Sequence, residues 1–204
     1  MNWLAHLVLS DRSPAFRIGN LLPDLMTRAE LSTIPEIFQE GIECHRRIDL
    51  FTDRHPLVRR SVQRVSPPYR RFAPVLIDIF YDHFLSARWT DHCFQSLDEF
   101  VQEVYTSFDK HRAQMPEATY GHLQRMRAEN WLGSYREITG VRLTLERVGR
   151  RFRRRIELGP AVVELEKNYD GLEDDFAEFF PELRAHVETA FVRRDSSSSV
   201  RACP

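Results

Sequence analysis

Apolar residues recur along the chain at the three- and four-residue spacing of helices, and sustained alternation typical of β-strands is not evident. Phe72, Val75, Leu76 and Ile79 show this spacing within a long central segment. Helices are predicted over residues 2–9, from about residue 21, and over 35–53, 56–65, 69–89, 96–110, 117–138, 140–157, 160–181 and 182–192. The pattern therefore indicates an all-α fold.

The length and composition favour one helical domain. The chain has 204 residues and only eight glycines, while Leu, Arg and Glu, which favour helices, are abundant. The hydrophobic pattern continues through residues 1–192, which we expect to form a single-domain helical bundle. Residues 193–204 contain a run of four serines and are predicted to be a disordered tail.

Charge and composition exclude several classes of protein. The net charge of −1 does not favour nucleic acid as a partner. No apolar run reaches the length of about 18 residues that a membrane span needs, and the N-terminus lacks the basic start of a signal peptide. The three cysteines show no C-x-x-C spacing. These observations predict a cytoplasmic protein.

Polar residues suited to metal binding lie four positions apart on several predicted helices. Positions four apart lie on one helix face, since a helix turns about 100° per residue. A carboxylate buried on an apolar helix needs an ion-pair partner or a metal. The residues concerned are Asn2 and His6; Asn20 and Asp24; His45, Asp49 and Asp53; and Asp78 and Asp82, which His83 follows.

Each residue taken alone has a simpler interpretation. His6 could be a hydrogen-bonded core residue, and Asn2 could be a helix N-cap. Asp49 and Asp53 could form ion pairs with neighbouring arginines. Their joint occurrence on separate helices favours a metal site in the interior of a helical bundle.

Four of these segments resemble the acyl carrier protein phosphodiesterase family. The similarity extends in order over about residues 1–190 and is weaker after residue 85. Pro23 and Arg28 stand where family members often carry Ala and Gly. The matching segments are MNWLAHL (1–7), GNLLPD (19–24), GIECHRRID (41–49) with TD (52–53), and DIFYDHFL (78–85).

The resemblance implies an HD-domain-like helical fold and a metal-dependent hydrolase. Its substrate would be holo-acyl carrier protein, and the reaction would release 4′-phosphopantetheine from a serine to leave the apo protein. The cation would be Mn²⁺, with Mg²⁺ as a substitute. The His-Asp dipeptide of HD enzymes is reversed here, as Asp82-His83.

The resemblance and the spacing together assign provisional roles. Asp49 is predicted to be a ligand, to orient His45 or to act as a base. Arg46 and Asn20 are predicted to hold phosphate oxygens, and Asp24 to take part in catalysis as well as metal binding. The predicted metal ligands are His6, Asp24, His45, Asp82 and His83. The predicted supporting residues are Asn2, Asp53 and Asp78.

An arginine-rich segment at residues 142–155 is the candidate surface for the acidic carrier protein. A solvated face, or binding to RNA or a membrane surface, is the alternative interpretation. The predicted partner-binding residues are Arg150, Arg151, Arg153, Arg154 and Arg155.

Two other functions remain open from the sequence. An HD-like phosphohydrolase acting on a nucleotide or another small phosphoester would use the same metal cluster. A helical adaptor that binds a carrier protein or RNA would not be an enzyme, and it would purify without a stoichiometric transition metal.

Overall fold

The computed structural model of the chain describes residues 1–152 and 155–191, which form helices and no β-strand. This confirms the predicted all-α fold. The α-helices are α1 (Trp3–Val8), α2 (Pro14–Leu25), α3 (Arg28–Leu31), α4 (Gln39–Arg54), α5 (Pro56–Arg64), α6 (Ala73–Ala87), α7 (Trp89–His92), α8 (Leu97–Ser107), α9 (Glu117–Ala128), α10 (Trp131–Ser134), α11 (Ile138–Arg151), α12 (Val162–Lys167) and α13 (Tyr169–Phe191). Short 3₁₀ helices cover Glu36–Phe38, Arg70–Phe72, Phe108–Gln114 and Gly159–Ala161. The predicted tail, 193–204, lies outside the described residues.

Helix boundaries differ from the sequence-based prediction in several places. The helix predicted from about residue 21 begins at Pro14, and the helix predicted over 140–157 ends at Arg151. The segment predicted as 117–138 is divided, because Asn130 adopts a left-handed conformation with φ 46° and separates α9 from α10. Near the C-terminal end, α13 continues through Pro181, where a break was expected. The break falls earlier, at Asn168, whose side-chain amide donates to the Glu164 carbonyl at 2.9 Å.

The core forms around α6, whose side chains Leu76, Ile77, Phe80 and Phe84 are fully buried. Phe84 packs against Phe176 of α13. All six residues of α1 are also buried, although this helix is short. Because α1 packs against α2 and α6, it carries His6 into the interior.

Gly19 of α2 and Gly41 of α4 allow the two helices to cross at close range. A Cβ atom added to Gly41 would lie 2.7 Å from the Asn20 nitrogen and 2.9 Å from the Gly19 carbonyl carbon, and closer still to the Phe16 carbonyl oxygen. These distances are too short for any side chain larger than hydrogen. The crossing places Asn20 of α2 directly against His45 of α4.

Gly41→Ala is expected to lower the free energy of unfolding by about 1–3 kcal/mol, because the added methyl group overlaps backbone atoms that cannot move independently. Gly121→Ala is the matched control, since nothing lies within 4 Å of a Cβ at that helical position. Alanine there should stabilise the protein by up to about 1 kcal/mol. Urea unfolding measures both changes, and equal stability of the two variants would contradict the close crossing.

Within the parts of the chain that the structure describes, every helix is too short or too polar to cross a lipid bilayer.

Candidate metal centre

Three side chains from α1 and α4 converge in the interior. His6 Nε2 lies 3.2 Å from Asp49 Oδ1, and His45 Nε2 lies 3.0 Å from Asp49 Oδ2. The two imidazole rings are stacked, with centroids 4.2 Å apart. One potential ligand atom from each of the three residues lies within 4.8 Å of the other two. Both histidines are buried, whereas the carboxylate is partly exposed.

Asn20 orients both imidazole rings. Its side-chain nitrogen donates to the His6 carbonyl and to Ser10 Oγ, so its Oδ1 accepts from His6 Nδ1 at 3.0 Å. Its backbone carbonyl accepts from His45 Nδ1 at 2.8 Å. With Nδ1 occupied in this way, each ring turns Nε2 towards Asp49, where a neutral ring would offer its lone pair to a cation. Outer-shell hydrogen bonds of this kind commonly hold histidine ligands in place.

The electrostatics of the cluster favour an ionised carboxylate. Burial raises the pKa of Asp49, but the adjacent His45 and His6 outweigh it and hold the pKa far below its usual range. Burial lowers the pKa of His45, while Asp49 reverses this and raises it overall. The pKa of His6 is lowered by burial despite the same carboxylate.

The donor set fits a divalent cation. Two imidazole nitrogens and a carboxylate suit Zn²⁺, Mn²⁺ or Fe²⁺. His6 Nε2 is buried and makes no hydrogen bond of acceptable geometry, although Asp49 is near. A buried polar atom without a partner costs free energy, which a cation at this position would recover. His6, His45 and Asp49 therefore form a possible metal site.

Asp24 lies at the rim of this cluster. Its Oδ1 is 3.9 Å from His45 Nε2, and its Oδ2 accepts a hydrogen bond from Trp3 Nε1 at 2.8 Å. The structure thus brings together His6, Asn20, Asp24, His45 and Asp49 of the predicted site residues.

The spacing had predicted that Asp82 joins the cluster, but its carboxylate lies elsewhere. Its carboxylate is fully buried and accepts hydrogen bonds from the backbone amides of Leu4 at 2.7 Å and Ala5 at 3.1 Å. These amides belong to the first turn of α1 and have no partner within the helix. Burial raises the pKa of Asp82 to about 7, against the opposing effect of the two amides. Asp82 therefore caps the helix that carries His6.

His83 also lies apart from the cluster, because neighbouring residues on a helix point about 100° apart. Its Nδ1 donates to the Tyr135 carbonyl at 2.8 Å, and its Nε2 contacts the Tyr169 hydroxyl at 3.1 Å. Both ring nitrogens are engaged in these contacts.

The predicted supporting residues occupy separate positions. Asn2 donates to the Tyr135 hydroxyl at 2.8 Å, and Asp78 Oδ1 lies 3.0 Å from the Met1 nitrogen. That nitrogen is 3.8 Å from Asp49 Oδ1, so Asp78 reaches the cluster indirectly. Asp53 is exposed on α4.

The arginines fall into different environments. Arg46 is exposed on α4, and Arg150 and Arg155 are exposed near the end of α11 and beyond it. Arg153 and Arg154 lie outside the described residues. Arg151 is also exposed, and it lines a pocket beside the cluster.

This pocket has a volume of about 190 Å³ and opens next to Asp24. The stacked indoles of Trp3 and Trp131 form part of its wall, with ring centroids 5.5 Å apart. Sequence reasoning missed the other lining residues from α11. The available signal was the spacing of Thr144, Arg147 and Arg151, which places the three on one helical face.

Comparison with known proteins shows similarity along most of the chain. The family model described as acyl carrier protein phosphodiesterase matches residues 1–183. A protein of that name from Enterobacter sp. (strain 638) is 32% identical over 189 residues, covering 92% of this chain and 98% of the relative. Its namesake from Yersinia pestis is 31% identical over 191 residues, covering 92% and 98%. No solved structure matches the chain.

Proposed function

This chain belongs to the acyl carrier protein phosphodiesterase family, and we propose that it hydrolyses the phosphodiester between 4′-phosphopantetheine and a serine of holo-acyl carrier protein. The products are the apo carrier protein and free 4′-phosphopantetheine. One observation carries the proposal within the structure: Asn20 directs two buried imidazoles onto Asp49 beside an open pocket.

The cation proposed for this site is Mn²⁺, with Mg²⁺ as a weaker substitute. Two imidazole donors support this preference, because Mg²⁺ binds mainly oxygen ligands. A bound divalent cation would lower the pKa of a water molecule and neutralise phosphate charge. His6, His45 and Asp49 would hold it from the interior.

Asp24 occupies the pocket side of the proposed cation site. Its carboxylate is more than one-third exposed and lines the pocket, while Trp3 fixes one of its oxygens. We propose that the substrate phosphate and the attacking water approach the cation beside Asp24. Asn20, which was predicted to hold phosphate, is fully buried and acts instead by orienting the two histidines.

A single incubation tests the proposed reaction. Purified protein, holo-acyl carrier protein and Mn²⁺ should give apo carrier protein, detected by mass spectrometry as loss of the prosthetic group. EDTA should abolish the reaction and excess Mn²⁺ should restore it, with Mg²⁺ giving a lower rate. Hydrolysis of nucleotides without release of phosphopantetheine would favour another phosphohydrolase. Purification without stoichiometric metal, together with no turnover, would favour an adaptor.

The predicted cytoplasmic location and the absence of a nucleic-acid partner stay predictions. Arg150 and Arg155 remain proposed contacts for the acidic carrier protein. Both are exposed, Arg150 near the end of α11 and Arg155 just beyond it. This proposal requires that kcat/KM for the carrier protein falls as salt is added.

A further inference from the structure

Helix α11 turns one face into the pocket beside the metal site. Thr144, Arg147, Val148 and Arg151 line the pocket from this face, at helical spacings of three and four. Arg150 lies between them in the sequence and is exposed, as Arg151 is, but it does not line the pocket and pairs loosely with Glu146 at 3.8 Å. Arg147 and Arg151 therefore form an inward pair that lines the pocket, and Arg150 lies outside it.

Each inward arginine is stacked on an indole ring. Arg147 Cζ lies 4.8 Å from the centroid of Trp131, and Arg151 Cζ lies 5.0 Å from that of Trp3. Stacking fixes the plane of a guanidinium group while leaving the N–H groups at its edge able to bind an acceptor. Arg151 Nη2 donates to His122 Nε2 at 2.9 Å, and the remaining N–H groups of the two arginines are held in a geometry that suits recognition of a phosphate.

The same wall contains buried donors without partners. Arg147 Nη1 and Thr144 Oγ1 are both buried and make no hydrogen bond among the described residues. Arg147 uses its other terminal nitrogen for Glu129, 3.3 Å away. An unpaired buried donor, above all on a charged group, costs free energy unless a ligand satisfies it.

The carboxylates that line the pocket have other partners. Asp24 is held by the Trp3 indole, and Asp78 lies beside the Met1 nitrogen. Neither forms an ion pair with Arg147 or Arg151 in the described structure. Arg147 shares its charge with Glu129, whereas Arg151 forms no ion pair among the described residues, so the charge of Arg151 is available to an anion.

Trp3 connects the arginine wall to the metal site. Arg151 lies over its ring, its Nε1 donates to Asp24, and Asp24 lies 3.9 Å from His45 Nε2. An anion held by Arg151 would consequently lie on the Asp24 side of the cluster.

We propose that Arg147 and Arg151, with Thr144, bind the phosphate of the 4′-phosphopantetheine group, while the stacked indoles of Trp3 and Trp131 contact its pantetheine arm. This inference rests on the proposed function and identifies the residues that recognise its substrate. It transfers phosphate binding from Arg46 and Asn20, the sequence-based candidates, to α11.

Binding of the free product tests this assignment without requiring turnover. Mn²⁺-loaded protein is titrated with 4′-phosphopantetheine in a calorimeter. Arg151→Gln and Arg147→Gln should each weaken binding by at least about tenfold, because each removes charge-assisted hydrogen bonds. Arg59→Gln, at an exposed arginine of α5 outside the pocket, is the control and should stay within about twofold of the wild type. Arg151→Lys keeps the positive charge but lacks the paired N–H groups of the guanidinium, so it should give an intermediate affinity.

Binding of pantetheine, which lacks the phosphate, tests the indole part of the pocket separately from the arginine part. The arginine variants should bind it as the wild type does, because it lacks the anion that they recognise. Metal content and circular dichroism establish that each variant is folded and loaded. In kinetics, Arg151→Lys should raise KM for the holo-carrier protein more than it lowers kcat.

The outcomes distinguish this inference from the proposed function. A wild type that cleaves holo-carrier protein, with Arg147 and Arg151 glutamine variants that bind phosphopantetheine as Arg59→Gln does, would overturn the arginine assignment and leave the function intact. A wild type that binds phosphopantetheine through the two arginines but never releases it from carrier protein would support the pocket and overturn the function.

Discussion

Replacing Asp49 with alanine is expected to reduce kcat/KM for holo-acyl carrier protein by about 10³-fold and to remove most of the bound metal. Asp49 is the single carboxylate that contacts both imidazoles, at 3.2 Å from His6 Nε2 and 3.0 Å from His45 Nε2. Without it, two buried histidines face each other with no anionic donor, and a divalent cation loses its only negative ligand within the three-residue cluster.

Asp49→Asn separates charge from shape in this experiment. The amide fills nearly the same volume but carries no negative charge, so we expect a loss of activity close to that of Asp49→Ala. Glu43→Gln on the same helix is the control, because the Glu43 side chain is half-exposed and its pairing with Arg47 is worth little. Release of phosphopantetheine is followed by mass spectrometry, and bound Mn²⁺ by elemental analysis. An Asp49→Ala protein that kept its metal and its turnover would place the active centre elsewhere.

Helical spacing predicted the central part of the cluster because its contacts follow local geometry. His45 and Asp49 are four residues apart on α4, and the structure brings their side chains to 3.0 Å. His6 was recognisable as a polar residue within an apolar segment, which becomes the buried helix α1. The approach of α1 to α4 depends on tertiary packing, which spacing within a single helix does not describe.

The spacing of Asp78 and Asp82 could not reveal what each carboxylate contacts. Asp82 lies on the α6 face turned towards the first turn of α1, where it meets the backbone amides of Leu4 and Ala5. Backbone donors leave no trace in a sequence pattern based on side chains. His83, the next residue, points about 100° away and meets Tyr135 and Tyr169.

The pocket wall was hidden for a different reason. Residues 142–155 are rich in arginine, yet among the described ones helical geometry brings Arg147 and Arg151 to the pocket and leaves Arg150 outside it. Trp3 and Trp131 stack although 128 positions separate them, so only the folded chain shows the aromatic surface on which Arg147 and Arg151 lie. Long-range contacts of this kind are set by packing of the whole core.

Asp82→Ala is expected to reduce the free energy of unfolding by about 2–4 kcal/mol, because the change leaves two buried backbone amides without acceptors. Asp82→Asn should give a smaller loss, since the side-chain oxygen can still accept one of the two hydrogen bonds. Asp53→Ala is the control on an exposed carboxylate and should stay within about 0.5 kcal/mol of the wild type.

The same measurement distinguishes the cap from the metal ligand that the spacing had predicted at Asp82. Ligands that bind only the folded protein stabilise it, so loss of a metal ligand weakens the protein mainly when the metal is present. Loss of the cap instead lowers stability equally with EDTA and with Mn²⁺, because the unpaired amides of α1 do not depend on the cation. Urea unfolding should therefore show the same difference in unfolding free energy between Asp82→Ala and the wild type with EDTA and with Mn²⁺. A difference seen only in the presence of Mn²⁺ would instead indicate that Asp82 is a metal ligand.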